Sequence, residues 1–207
     1  MCNNSMTVTY DDVKKAQETQ SKIIRKTSLE FSETFSKICD AKVFLKNEYE
    51  QKTGSFKIRG AYYKIKSLTD EQKSKGVVAA SAGNHSQGVA FASNIENIPC
   101  TIVMPRTASP AKVSATKSYG AKVVLEGSTY DESWEHAQKI SSETNATIIH
   151  AFDDSNVIAG QGVIGLEIIE ELPNVDEIYV PIGGGGLVAG IITAVKEKHP
   201  HVKIIGV

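Results

Sequence analysis

The feature that most constrains this chain is the alternation of strand and helix patterns between residues 77 and 150. A short apolar run leaves a turn of small residues and gives way to a helical pattern. The runs are Val77-Val78-Ala79-Ala80, Cys100-Thr101-Ile102-Val103-Met104, Lys122-Val123-Val124-Leu125 and Thr147-Ile148-Ile149-His150. Runs of four or five residues, most of them apolar on both faces, fit strands covered by helices on two sides, which is the pattern of a parallel sheet. The intervening segments supply the helices. Residues 84–95 form one, Ser109-Pro110 caps and starts a second that Gly120 stops, and Thr129-x-x-Glu132 opens a third that carries Trp134, Ala137 and Ile140. The fold class is therefore α/β.

The flanks extend this reading. Thr9-x-x-Asp12 starts a helix over residues 9–25, followed by β-prone pieces at 28–31 and 42–49. A long helical pattern over 157–172 stops at Pro173, a buried strand follows at 177–182, and four consecutive glycines lead into a helix over 187–198. Residues 202–207 read as the next parallel strand. Such a strand leads into a further crossover, so the sequence is expected to stop inside a domain.

Composition narrows the function classes. A net charge of −1 gives no electrostatic reason to expect nucleic acid or an anionic membrane as partner. Cys2, Cys39 and Cys100 are odd in number and lack metal-ligand spacing, as expected of free thiols in a reducing compartment. Residues 1–6 carry no secretory signature and no apolar stretch reaches membrane-spanning length, so a cytoplasmic location is expected.

Three stretches carry chemistry. In Gly54-Ser55-Phe56-Lys57-Ile58-Arg59-Gly60-Ala61, Ser55 is expected to cap a helix whose first turn holds Lys57. The helix dipole, two apolar neighbours and Arg59 as a second nearby cation would then make the Lys57 amine nucleophilic. The strand, glycine run and helix of Ile178-Tyr179-Val180-Pro181-Ile182-Gly183-Gly184-Gly185-Gly186-Leu187 form an anion site of backbone N–H groups at a helix N-terminus. Gly184, Gly186 and Ala189 also spell a dinucleotide fingerprint, so a nicotinamide or flavin oxidoreductase competes; the acidic ribose ligand is missing from the last strand. Ser81-Ala82-Gly83-Asn84-His85 is a second strand-to-helix turn, suited to a carboxylate. A phosphate cradle, a carboxylate cradle and an activatable lysine are together what pyridoxal phosphate chemistry on an amino acid requires.

At these three stretches the chain resembles the pyridoxal-phosphate-dependent serine/threonine dehydratases (threonine ammonia-lyases), close to the serine racemases. The resemblance implies a tryptophan-synthase-β-like, type II fold with two open parallel-sheet domains, the large one incomplete in this chain. Residues 1–52 and 153–207 would belong to the large domain and 53–152 to the small one. It further implies that Lys57 holds pyridoxal 5'-phosphate as a Schiff base with Phe56 packed beside it, and that Asn84 bonds the ring hydroxyl. Gly183, Gly184, Gly185, Gly186 and Leu187 would bind the phosphate. Ser81, Ala82, Gly83, Asn84 and His85 would receive the carboxylate of a small amino-acid substrate. Ala159-Gly160-Gln161-Gly162, also familiar in this family, is read as structural. Lys52, Thr53, Gln87 and Tyr119 resemble positions that line a nucleotide effector interface, and a homo-oligomer, dimer or tetramer, is implied. The pyridine-nitrogen partner and the metal site of some relatives are absent from the sequence, which leaves the activity of the chain alone open.

Racemases of this family carry a hydroxyl at the second residue of the 81–85 turn, where this chain has Ala82. Without a second proton carrier, elimination is favoured over racemisation. The expected activity is ammonia-lyase conversion of L-threonine or L-serine to a 2-oxo acid and ammonia. Serine racemase and β-replacement enzymes are the alternatives within the cofactor class. Outside it stand the oxidoreductase and an inactive truncated module.

Overall fold

A computed structural model describes residues 7–207, so Cys2 and the rest of residues 1–6 lie outside the described residues. Helix α1 (Tyr10–Gln20) begins with the expected capping box, Thr9 and Asp12 bonding each other's backbone N–H. It ends before residue 25 because the Ile23 and Ile24 N–H groups both turn back to the Gln20 carbonyl.

Strands β1 (Leu29–Phe31) and β2 (Phe44–Lys46) pair antiparallel. The second is shorter than the 42–49 stretch because a 3-10 turn (Glu48–Glu50) follows at once. Between them lies α2 (Glu33–Cys39), a helix the sequence reading missed. It buries no residue, so its start is marked only by the Ser32 cap. Cys39 is exposed and Cys100 buried, and neither is in a disulfide.

Helix α3 (Lys57–Lys66) and the short α4 (Asp70–Lys75) lead into the alternating stretch: β3 (Val77–Ala80), α5 (Asn84–Ile95), β4 (Cys100–Met104), α6 (Pro110–Ser118), β5 (Lys122–Leu125), α7 (Tyr130–Thr144) and β6 (Thr147–Ile148). The four strands form one parallel sheet in the order β5-β4-β3-β6, with β3 wholly buried at its centre. Strand β6 stops short of residue 150 because His150 turns the chain: its Nδ1 accepts the N–H groups of Phe152 and Asp153 at 3.3 and 2.8 Å.

Helix α8 (Ser155–Glu171), β7 (Glu177–Val180), α9 (Gly186–Lys196) and β8 (Lys203–Gly206) complete the chain, β7 and β8 pairing parallel. Helix α8 is buried throughout its middle and packs on α1, α3 and α9. Its crossing with α3 is close enough that a Cβ on Gly60 would lie 2.7 Å from the Val157 carbonyl, and one on Gly160 2.7 Å from the Gly60 Cα. Only glycine fits there. Among the described residues, no helix is long and apolar enough to cross a membrane.

Candidate active site

The order β5-β4-β3-β6 reverses direction between β3 and β6, since the chain runs outward through β4 and β5 and then returns to the far side of β3. Open α/β sheets bind ligands in the crevice at such a reversal, beyond the carboxyl ends of the strands. The 81–85 turn follows β3 there, and Ala151 and Phe152 follow β6. His85 joins them: its Nε2 lies 2.9 Å from the Ile149 carbonyl, so that nitrogen carries the hydrogen. His85 is buried and its Nδ1 has no partner. Burial is the main cause that takes its pKa down to about 4, so the ring is neutral at pH 7.

Helix α3 is pressed against α5 at Gly88, where a Cβ would meet the Ile58 nitrogen at 3.0 Å and the Lys57 carbonyl carbon at 3.1 Å. Gly88 is one turn beyond Asn84, so this contact sets the start of the lysine helix beside the 81–85 turn. Lys57 is the first residue of α3, and Ser55 Oγ accepts its N–H at 3.4 Å. Phe56 rather than Ser55 holds the N-cap position, in helical conformation. Lys57 Nζ donates to the Ala151 carbonyl at 2.9 Å and lies 5.3 Å from the Phe56 ring centroid. Burial lowers the amine's pKa, as its chemistry demands.

Arg59 does not contribute to that shift. It is completely buried and directed into a separate ion cluster, where its guanidinium binds Glu48 and Glu167. The expectation of a second cation beside Lys57 is thus corrected: the amine is activated by desolvation.

The glycine run meets Lys57 across one cavity of about 210 Å³, lined among others by Phe56, Lys57, Phe152, Gln161 and the 183–187 turn. Gly185 has φ +85° and precedes the first turn of α9. A Cβ on Gly183 or Gly185 would meet nothing within 4 Å, so both face open space, whereas one on Gly184 would lie 2.2 Å from the Phe152 ring. Phe152 therefore seats the glycine turn against the loop after β6. An amine of lowered pKa on one wall and the N-terminus of α9 on the other fit a single-ring aldehyde carrying a phosphate.

Asn84 is exposed at the start of α5, and Ser81, Ala82 and Gly83 are half-buried; a Cβ on Gly83 would also meet open space. These four stand at the crevice without lining the Lys57 cavity. Lys52, Gln87 and Tyr119 gather elsewhere, on the flank of α5. Lys52 Nζ lies 5.9 Å from the Phe91 ring, which packs edge-on against Tyr119 at 5.6 Å, and Gln87 is one turn before Phe91. Thr53 is buried with its hydroxyl unpartnered. Four lining residues were not singled out as site residues: Ala151, Phe152, Pro181, and Gln161, read as structural. The available signal for Gln161 was an amide in the otherwise apolar and glycine-rich 157–166 stretch of α8.

Residues 20–207 match the family model described as pyridoxal-phosphate dependent enzyme. The chain belongs to this family. Among similar curated proteins, an L-threonine ammonia-lyase of Thermotoga maritima is 52% identical over 97% of this chain and 50% of its own length. A catabolic L-threonine dehydratase of Staphylococcus aureus is 51% identical over 97% of this chain and 58% of its own. The chain thus spans about half the length of the curated relatives it matches. Among solved structures, maize serine racemase superposes with TM-score 0.94 at 37% identity, covering 97% of this chain and 61% of that one. A threonine deaminase of Solanum lycopersicum gives 0.92 at 38%, covering 100% and 56%. The fold is that of the type II pyridoxal phosphate enzymes, and the cofactor class replaces the dinucleotide reading of Gly184, Gly186 and Ala189.

Proposed function

We propose that this chain carries the lysine-bearing part of an ammonia-lyase that converts L-threonine or L-serine to a 2-oxo acid and ammonia. The observation that carries the proposal is the shared cavity, with the desolvated Lys57 amine on one wall and the 183–187 turn on the other. When bound, pyridoxal phosphate supplies an electron sink for the bond broken at the substrate Cα.

The chain's own residues do the rest. Lys57 Nζ, once the substrate amine takes its place, would be free and positioned to take the Cα proton, because a desolvated amine is free of its own proton closer to neutral pH. The backbone N–H groups of residues 183–187 and the α9 dipole hold the phosphate. The 81–85 turn at the start of α5 holds the substrate carboxylate, and Asn84 orients the ring. Phe56 and Phe152 exclude water from the lysine side. Ala82 offers no hydroxyl, which favours elimination over racemisation. The names of the ammonia-lyase and dehydratase relatives support the same choice.

The proposal extends to architecture and control. The four-stranded sheet lies wholly within residues 77–148, which supports a small domain at 53–152 between large-domain segments 1–52 and 153–207. Lys52, Thr53, Gln87 and Tyr119 form the nucleotide effector site, the amino-acid enzyme is a homo-oligomer, and it works in the cytoplasm. The protein purified with pyridoxal phosphate is expected to show the absorbance of a lysine-bound cofactor and to release 2-oxobutanoate from L-threonine or pyruvate from L-serine. Lys57→Ala removes both signals. Formation of D-serine without 2-oxo acid would overturn the lyase assignment.

A further inference from the structure

Two of the side chains lining the Lys57 cavity carry a polar group: Lys57 and Gln161. Among the described residues that line the cavity, a phosphate dianion seated in the glycine turn therefore meets no arginine and no second lysine. Its charge is met by backbone N–H groups, the α9 N-terminus, and whatever Gln161 offers.

The orientation of the Gln161 amide is fixed by the start of the lysine helix. The Phe56 carbonyl is taken by the Arg59 N–H at 3.0 Å, one residue earlier than in a regular α-helix, and the Gly60 N–H goes instead to Gln161 Oε1 at 3.1 Å. A backbone N–H can only donate, so the atom facing it is the oxygen and the NH2 group is Nε2. Gln161 is 2% exposed, so its rotamer is held by packing, and Nε2 donates to no described residue. A buried amide with its acceptor spent and its donors free, on the wall of an anion cavity, has the chemistry of an anion ligand.

We propose that Gln161 is a cofactor-binding residue: Oε1 fixes the first turn of the lysine helix, and Nε2 donates to the phosphate held by the glycine turn. This rests on the pyridoxal phosphate reading of the cavity. It also links the lysine and the phosphate cradle through one side chain.

The test compares pyridoxal 5'-phosphate with pyridoxal, which lacks the phosphate, in the wild-type protein and two variants. Gln161→Met removes the donor, and with it the acceptor for the Gly60 N–H, at similar volume. Gln161→Glu keeps an acceptor for Gly60 and puts oxygen in place of the NH2 group. A hydrogen bond to a charged group corresponds to a change of about 10- to 100-fold in affinity. Gln161→Glu is expected to lose that factor for pyridoxal 5'-phosphate while the affinity for pyridoxal stays within about twofold of wild type; Gln161→Met, which also strands the Gly60 N–H, is expected to weaken both compounds, pyridoxal 5'-phosphate by the larger factor. An equal loss for both compounds, or none for either, overturns the proposal.

Where a variant fails to fold, the wild-type protein decides. Inorganic phosphate is expected to shift the Gln161 side-chain NH2 resonances, and saturating phosphate without such a shift overturns the assignment. Neither readout depends on turnover. Absence of 2-oxo acid would remove the lyase reading and leave this one standing, and an unchanged affinity ratio would do the reverse.

Discussion

Replacing Arg59 by Met should be among the most damaging single changes to the stability of this protein, and the ion cluster around it sets the size of the effect. The guanidinium is completely buried. Nη1 and Nη2 bind the two Glu167 oxygens at 2.7 and 2.9 Å, and Nε and Nη2 bind the two Glu48 oxygens, both at 2.8 Å. Lys46 Nζ lies 2.8 Å from Glu167 Oε2 and 3.6 Å from Glu171 Oε1, so Glu167 is met by a second cation besides Arg59. Removing one partner of a buried pair typically costs about 3–5 kcal/mol, because the other charge stays buried. Glu167 keeps Lys46, and Glu48, whose side chain is 15% exposed, keeps the Thr27 hydroxyl at 2.6 Å, which places the loss near the lower end, about 3 kcal/mol. With a urea slope of about 2 kcal/mol/M, the unfolding midpoint should fall by about 1.5 M. Adding Glu48→Gln should return part of that loss, since it removes the stranded charge. A midpoint shift below about 0.5 M, or full additivity of the two substitutions, would refute the account of the cluster.

Stability should also depend on pH through His85. Its folded-state pKa of about 4 lies below the ordinary value of 6.5, so between those values the unfolded chain binds a proton that the native state refuses. Stability is full above pH 6.5 and falls by roughly 3 kcal/mol as the pH drops to about 4. His85→Gln should flatten that segment of the pH–stability curve relative to wild type, and parallel curves would exclude His85 as the cause. At the glycine turn, Gly184→Ala drives a Cβ to 2.2 Å from the Phe152 ring and should lower stability by about 1–3 kcal/mol in a thermal melt. Gly183→Ala, which meets nothing within 4 Å, should change it by less than about 0.5 kcal/mol.

What the sequence showed and what it hid divide along a physical line. The strands of the four-stranded sheet were legible because a buried parallel strand must be apolar on both faces, and α5 was legible to the residue because Asn84 follows an abrupt change from apolar run to small turn. Lys57 and the glycine run were each readable as local chemistry. Their meeting across a cavity is a property of the α3–α8 crossing, where Gly60 and Gly160 let two backbones touch. Arg59 was misplaced for a related reason. Adjacency in sequence suggested adjacency in space, but residues two apart on a helix are turned about 200° from each other, so Lys57 faces the cavity while Arg59 faces the opposite core. Gln161 was hidden because a polar residue inside a buried helix declares only that it has a partner. Its partner, the Gly60 N–H, lies 101 positions away in sequence and is free only because the first turn of α3 is wound tightly. The same glycine crossing that makes α3 and α8 pack therefore places the amide of one helix against the catalytic end of the other, so stability and cofactor geometry cannot be altered separately at Gly60.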